Sequence, residues 1–491
     1  MRHFPARFLC QKTLRCGVGG GLWRAWRNDT PEGMTQPLSH RQHARALLVL
    51  GLPLIGSHLA QMSLHVADTV MMGWYGVTEL AATVLGASSF FVIFILGSGF
   101  AQAVMPMVAA ALAEGDEAQV RRDARMGLWL SILFGIACYP LFWWSEAVLS
   151  ALGQKPEVAA LGQDYLRIAG LGMIPALMVM ALKSYLAALG RTQVVLWVTL
   201  GSVGLNVAMN WMFIFGNWGA PELGVVGAAL ATLAVQVASV LALGLYAGWL
   251  PELRRFRLWQ RFWRADWVAF GRVFRLGWPI GVTGLMESGL FQASALMMGW
   301  IGTLELAAHG IAMEVAALAF MVHLGLSNAV TIRTAHADGA GDRRGMRDGA
   351  LVGIALSAGF GVAMVVLFLA FPVPIVSVFL DMEKPESAEI VAFGTVLLAL
   401  AALFQLADAM QVIALGLLRG VQDTKVPMWL AAVSYWGIGI PCSYVLAFPM
   451  GMGAVGLWLG LVVGLTCAAA SLMWRFWAGY RQAGLDAGVA G

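Results

Sequence analysis

Three acidic residues lie inside runs of apolar sequence that otherwise read as membrane spans. They are Asp68 in "HVADTVMMGW", Glu287 in "LMESG" and Asp408 in "QLADAMQ". A charged side chain near the bilayer centre costs roughly 2.5–3.5 kcal/mol on insertion scales, so such groups usually face a cavity or a partner. Carboxylates in that setting can bind a cation or exchange a proton, which makes these three residues the first candidates for chemistry.

Glu287 and Asp408 are stronger candidates for an ion site than Asp68. Neither has a nearby Lys or Arg on its own predicted helix that could neutralise it. Two interacting carboxylates can share a proton or bind Na⁺, so we predict a coupling site for either ion here. The alternative is a structural role, in which both acids are buried in protonated form as hydrogen-bond donors.

Asp68 belongs to a polar stripe on its own predicted helix. The stripe consists of Ser57, Gln61, His65 and Asp68, spaced by 4, 4 and 3 residues, which places them on one helix face. Two later spans add the polar side chains of Asn206, Asn210 and Thr232. With Asp68 these groups predict an oxygen-rich pocket for a hard cation or a hydrogen-bonded proton site. Hydrogen bonding between membrane helices is the alternative.

The composition indicates what must position these groups. Of the 491 residues 59% are hydrophobic and 12% are charged, which is typical of a polytopic membrane protein. Apolar runs follow one another from Ala46 to Trp474, and at about 20 residues per span we expect about twelve helices. Backbone hydrogen bonds must be satisfied within each span, and the runs lack the alternation of a barrel. The predicted fold class is therefore an all-α polytopic membrane protein.

The chain contains an internal duplication. From Pro53 onward, a similar sequence occurs 226 residues later. The stretch "HVADTVMMGW" corresponds to "FQASALMMGW". Ser294 then stands where Asp68 stood, while Glu287 takes the position of Gln61, two helical turns deeper. An ordered repeat with an even helix count predicts two six-helix lobes related by a pseudo-twofold axis along the membrane normal.

Loop charges predict the orientation and the boundaries. Lys and Arg concentrate in alternate loops, so both termini are expected in the cytoplasm. The predicted segments are a basic tail (1–45, disordered or a start-site artefact), a first lobe (46–250), a basic cytoplasmic connector (251–276), a second lobe (277–475) and a cytoplasmic tail (476–491). Aromatic residues between the arginines of the connector favour a helix at the anionic membrane surface, although a solvated linker fits equally well.

Several other classes of protein are disfavoured. The five cysteines show neither CxxC spacing nor a cluster with His, so we expect no metal centre and no disulfide framework. The spans contain no HExxH or GxSxG motif, which argues against an intramembrane enzyme and any catalytic residue. No basic folded domain points to a nucleic acid partner, and we expect no cofactor.

Several stretches resemble a known family, the multidrug and toxic compound extrusion (MATE) transporters of the NorM-like branch. The resemblance covers about residues 45–475. The stretches that carry it are "VADTVMMG", "LMESGLFQ", "AAHGIAMEVAAL", "GLSNAV", "LADAMQVIALGLLRGVQDTK" and "SYWGIGIPCSY".

The resemblance implies a twelve-helix antiporter that exports amphipathic, often cationic compounds in exchange for Na⁺ or H⁺. The family's coupling or substrate acids correspond to Asp68, Glu287 and Asp408. Its first-lobe polar cluster corresponds to Asn206, Asn210 and Thr232, with Gln61 on the equivalent face.

One position departs from the family pattern. Phe404 stands where some Na⁺-coupled relatives have a Tyr, so an oxygen ligand is missing, and Gln405 and Gln411 are the candidate substitutes. We expect a monomer in the bacterial inner membrane that contacts lipids and small organic substrates. The rival function is a lipid-linked saccharide flippase of related fold, which would need a more basic cavity than these acids provide.

Overall fold

The computed structural model describes residues 38–151, 153–383 and 386–489 of the chain. Residues 1–37, which make up most of the predicted basic tail 1–45, lie outside this set together with Cys10 and Cys16. The first long helix begins at His40, within the range predicted for the tail. The described cysteines, Cys138, Cys442 and Cys467, are free thiols.

The first half of the chain folds into long helices. They are α1 (His40–Tyr75), α2 (Val77–Ala113), α3 (Glu117–Trp143), the short α4 (Ser145–Ala151), α5 (Pro156–Ala169), α6 (Met173–Ala188), α7 (Thr192–Phe213) and α8 (Gly224–Trp249). A 3₁₀ turn at Gly170–Gly172 joins α5 to α6, so that the two helices form one apolar span.

The second half repeats this arrangement. Its helices are the short α9 (Pro251–Arg254), then α10 (Trp267–Ile301), α11 (Thr303–Gly339), α12 (Arg343–Ala370), the short α13 (Pro372–Ser377), α14 (Ser387–Gly420), α15 (Lys425–Ala432), α16 (Ile440–Ala447) and α17 (Gly453–Val489). A π-helical turn at Val433–Gly439 joins α15 to α16. The last helix continues through most of the predicted tail 476–491.

The helices confirm the predicted membrane fold. Within the described residues eleven spans are long and apolar enough to cross a bilayer. The remaining long helix, α10, has 35 residues, and its polar residues include Arg272, Arg275, Glu287 and Gln292. It is the repeat equivalent of α1, so it completes the expected twelve.

Aspartate caps begin equivalent helices in the two halves. Asp116 Oδ1 accepts a hydrogen bond from the backbone N–H of Gln119 at 2.8 Å. Asp342, 226 residues later, accepts one from the N–H of Gly345 at 2.8 Å. Because such a cap satisfies a donor that the helix itself cannot, it defines where α3 and α12 begin. The duplication is therefore preserved in local structure.

Glycines bring the two halves together along matching pairs of helices. A Cβ on Gly99 of α2 would lie 2.7 Å from the Cα of Gly281 on α10. A Cβ on Gly325 of α11 would lie 2.8 Å from the Cα of Ile55 on α1. Gly325 and Gly281 are 226 residues after Gly99 and Ile55, so the two interfaces are equivalent under the repeat. Only a residue without a side chain permits this backbone approach.

The connector between the halves differs from the interfacial helix, which was one of two equally weighted predictions for it. Only Pro251–Arg254 is helical, and turns follow in which Arg257 and Arg261 have φ angles of 47° and 53°. Asp266 then caps α10 by accepting from the N–H of Ala269 at 3.1 Å, so this helix begins within the predicted range 251–276.

Side chains of α3 fix the connector in place. Arg125 Nη1 donates to the carbonyl oxygens of Gln260 and Arg261 at 3.1 and 3.0 Å, and Trp129 Nε1 donates to that of Phe262 at 2.8 Å. Arg122 also forms an ion pair with Asp266. This hydrogen-bonded pair holds the pKa of the Asp266 carboxyl below its usual value. The segment is therefore an ordered part of the fold.

Candidate transport site

In the first half, Asp68 is held by two amides from α7. Asn206 Nδ2 and Asn210 Nδ2 donate to Asp68 Oδ1 at 3.0 and 2.6 Å. Asn210 also donates to Asn206 Oδ1 at 3.3 Å, and both asparagines are buried. The four-residue spacing places the two amides one turn apart on one helix face. The two amide donors fix the position of this carboxyl group and offset part of the cost of burying it.

Gln61 and Thr232 are partly buried, and neither is hydrogen-bonded to Asp68, Asn206 or Asn210 in the described part of the chain. Polar contacts deeper in the same half link neighbouring helices instead. The hydroxyl groups of Ser57 and Thr199 are 3.0 Å apart, and those of Ser202 and Ser239 are 2.8 Å apart. The predicted polar stripe therefore divides into an acid site and a structural ladder of hydroxyls.

In the second half, Glu287 on α10 faces α14. Gln411 Nε2 donates to Glu287 Oε1 at 3.3 Å. Gln405, Asp408 and Gln411 follow one another at intervals of three residues, so they share one face of α14. All three are buried, and Asp408 is 2% exposed. Asp408 is close enough to Glu287 for the charges of the two carboxylates to interact. The structure therefore brings the predicted pair together.

Many polar atoms of this second cluster have no hydrogen-bond partner among the described residues. They are Asp408 Oδ1, Gln405 Oε1 and Nε2, Gln411 Oε1 and the Tyr435 hydroxyl. A buried polar atom normally finds a partner, because leaving one unpaired costs about 1–3 kcal/mol. A proton or a hard cation is a partner that such an oxygen set can accept. No three or more His, Cys, Asp or Glu side chains group as metal ligands in the described chain, so amide and hydroxyl oxygens would have to contribute.

Tyr435 is a further member of this cluster, and the polar spacing of the sequence did not predict it as a site residue. It is fully buried within electrostatic range of Glu287 and Asp408, and it lies beside Gln411 outside hydrogen-bond geometry. Its backbone belongs to the π-helical turn Val433–Gly439. Such turns often occur at functional sites, but a π turn has no recognisable sequence pattern.

An apolar wall closes one side of the second cluster. The Phe404 ring, 2% exposed, packs edge-on against the rings of Phe291 and Trp458 at centroid distances of 6.0 and 5.6 Å. His309 packs against the same tryptophan at 5.6 Å. His309 is therefore a packing residue, and Phe404 supplies no oxygen to the neighbouring acids.

A cleft of about 810 Å³ is lined by residues of both halves, from Leu59 in the middle of α1 to Trp74 at its C-terminal end. One wall is formed by α1 and α7, and the other by α11 and Phe379. Glu314 of α11 lines the cleft and is exposed. The volume is in the range of pockets that hold small organic molecules.

The family model described as MatE matches residues 53–212 and 279–445, which include all of the acids above. This chain belongs to the multidrug and toxic compound extrusion family. A probable multidrug resistance protein NorM of Rhizobium meliloti (strain 1021) is 48% identical over 435 residues, which are 88% of this chain and 93% of that protein. The protein of the same description in Agrobacterium fabrum is 43% identical over 434 residues, with coverages of 88% and 93%.

Solved structures agree with the fold. The eukaryotic MATE transporter AtDTX14 has a TM-score of 0.79 at 21% identity, covering 90% of this chain and 98% of that one. A MATE structure in complex with MaL6 has a TM-score of 0.81 at 20% identity, with coverages of 90% and 97%. The predicted family and fold class are confirmed. As a family member the chain is an integral membrane transporter, is not an enzyme and needs no cofactor.

Proposed function

We propose that this MATE protein is a secondary active antiporter of the bacterial inner membrane, which exports amphipathic organic cations, including drugs, in exchange for Na⁺ or H⁺. The observation that carries the proposal is the buried pair Glu287 and Asp408, whose neighbouring oxygens lack protein partners. Its bacterial relatives at 48% and 43% identity are described as multidrug resistance proteins, which supports the class of cargo.

The proposed transport cycle alternates between two arrangements of the lobes 46–250 and 277–475. A ligand can shift such an equilibrium only through its different affinities for the two states. Binding of Na⁺ or H⁺ neutralises the acids and favours one state, whereas an organic cation is attracted by the ionised acids and favours the other. Exchange then follows from competition for the same negative charge.

Hydrogen bonds made by Asn328 and Arg419 connect the lobes in the part of the chain that the structure describes. Asn328 Nδ2 donates to His58 Nε2 at 3.0 Å, and Arg419 Nη1 donates to Gln102 Oε1 at 3.3 Å. Gln102 and Asn328 are repeat equivalents, 226 residues apart. Arg419 also lies within electrostatic range of Glu287. In the proposed cycle this arginine links the charge of the coupling site to a contact that must break when the lobes reorient.

The proposed orientation places both termini and the basic connector in the cytoplasm, in line with the distribution of Lys and Arg. The cleft then opens to the outer face. Asp68 takes part in binding the ion or the cargo in the first lobe, supported by Asn206 and Asn210. In the second lobe, the side-chain oxygen of Gln405 takes part in binding the ion beside Glu287 and Asp408.

A lipid-linked saccharide flippase is the second candidate, but the charges disfavour it. A pyrophosphate group calls for convergent Lys or Arg side chains. The one ionisable side chain among the residues that line the cleft is Glu314, and those residues all belong to the described chain. The antiporter therefore fits the charge better.

The deciding experiment is export of a fluorescent organic cation from loaded proteoliposomes, with a Na⁺ gradient and a pH gradient imposed separately. We expect one gradient to accelerate export, and an ionophore that collapses that gradient to abolish the acceleration. Protein-free liposomes report passive leakage. If neither gradient changes the rate, the protein is not an antiporter of this kind.

A further inference from the structure

The cleft has two chemically different walls. Glu314 projects from α11 on one side, and no Lys or Arg is among the lining residues. The opposite side presents three tryptophans, Trp74 on α1, Trp211 on α7 and Trp218 in the following turn. Their exposed fractions are 69%, 43% and 72%, so their rings are available for contact. We call these three residues the tryptophan wall.

The tryptophan wall is built into the fold. Trp218 has a φ of 59°, in the left-handed region that residues other than glycine rarely adopt. Trp211 packs against Phe215 at a ring distance of 5.4 Å, and its carbonyl oxygen accepts from Asn217 Nδ2 at 3.3 Å. These contacts order the segment that holds Trp218 at the edge of the cleft.

We propose that Glu314 and the tryptophan wall form a binding site for organic cations, separate from Asp68 and from the Glu287 and Asp408 pair. Tryptophan faces attract cations, and a carboxylate across the cleft adds a direct charge interaction. The cleft is otherwise mainly apolar, with Met62, Met71 and Leu318 among its lining residues, which suits the hydrocarbon part of an amphipathic molecule.

The site joins the two halves of the molecule, since Glu314 belongs to the second and the tryptophan wall to the first. A cation there touches both walls only while they face each other across the open cleft. It is therefore bound in this arrangement and released or displaced when the walls move. Glu314 selects for positive charge in cargo that passes through the cleft. This inference rests on the proposed export of organic cations.

The test uses two ions of the same shape and opposite charge, tetraphenylphosphonium and tetraphenylborate. Binding of each to the purified full-length protein in detergent is measured by equilibrium dialysis. We expect Glu314→Gln to weaken tetraphenylphosphonium binding about 3- to 10-fold, because one direct charge interaction is lost. Binding of tetraphenylborate should stay the same or become tighter.

Three further variants isolate the cause. Glu314→Asp keeps the charge and should retain the preference for the cation. Trp211→Leu should weaken binding of the cation while Glu314 is intact. Glu389→Gln, which makes the same chemical change at an exposed site on α14 outside the cleft lining, should leave both ions unaffected. Size-exclusion profiles establish that each variant is folded.

The outcomes separate this inference from the proposed function. Equal weakening of both ions in Glu314→Gln, or no weakening of either, would overturn the Glu314 site. If wild-type protein in proteoliposomes exports tetraphenylphosphonium under one gradient while Glu314→Gln binds and exports it equally well, only the Glu314 site is wrong. If wild-type protein exports no organic cation under either gradient, the proposed function itself is wrong.

Discussion

The two acid sites each include an acid from the first long helix of their half, Asp68 on α1 and Glu287 on α10, but they differ in how the carboxylates are hydrogen-bonded. Asp68 Oδ1 accepts two amide hydrogen bonds, at 3.0 and 2.6 Å. Asp408 Oδ1 has no partner among the described residues, although Asp408 is 2% exposed. Among the described residues Glu287 accepts one hydrogen bond, from Gln411 at 3.3 Å. In the first cluster the Asp68 carboxylate is paired and Asn210 Oδ1 is the unpartnered atom, whereas in the second cluster the acid Asp408 is itself unpartnered among the described residues.

This difference separates two tasks that duplication could have left identical. The repeat places Glu287 at the position of Gln61, two turns from the position of Asp68, or about 11 Å along the helix. Unpaired buried oxygens gain most when a proton or a cation arrives, because the cost of leaving them unpaired is then removed. We therefore expect the second site to dominate ion coupling and the first to be more tolerant of neutralisation.

The largest effect should come from neutralising the second site. Glu287→Gln and Asp408→Asn keep shape and hydrogen-bonding capacity but remove the charge that an ion must balance. Each should reduce gradient-driven export of a fluorescent cation in proteoliposomes by a factor on the order of ten or more, equivalent to about 1.4 kcal/mol of coupling. Glu389→Gln, the exposed control on the same helix as Asp408, should export normally. Normal export by both site variants would remove the coupling role from this pair.

A smaller effect should follow at the first site. Asp68→Asn retains an oxygen that can accept from Asn206 and Asn210, so the cluster should survive while its charge is lost. We expect export to fall about 3- to 5-fold, and less than in Asp408→Asn. Asn206→Ala keeps the charge but removes one donor, which should cost about 1 kcal/mol or more of local stability. A loss in Asp68→Asn as deep as in Asp408→Asn would mean that the two sites act as one.

Sequence patterns predicted those parts of the molecule that depend on local periodicity. Helical spacing alone placed Asn206 and Asn210 on one face, and the repeat placed Glu287 on the face equivalent to that of Asp68. The apolar runs fixed the number of long helices, because a bilayer imposes their length. These features need no knowledge of distant contacts.

Other features depend on distant contacts and could not be predicted in this way. The turns of the connector are held by Arg125 and Trp129, more than 130 residues earlier in the chain. Tyr435, in a π-helical turn, lies near the acid pair, and Glu314 lines the same cleft as tryptophans from the other half. A single sequence contains the residues but gives no distance between segments, so a helical pattern cannot distinguish a cleft wall from a packing face.

The smallest and most specific effect concerns Gln405. This side chain is fully buried, and neither its oxygen nor its nitrogen has a hydrogen-bond partner among the described residues. Gln405→Leu has a similar volume and removes the unpaired polar group. If the glutamine serves only the fold, the variant should be more stable by about 1–3 kcal/mol and should export normally. Because we propose that its oxygen serves the ion site, we expect thermal unfolding in detergent at a higher temperature together with a two- to threefold loss of export. A stabilised variant with unchanged export would confine the coupling site to the two acids, Gln411 and Tyr435.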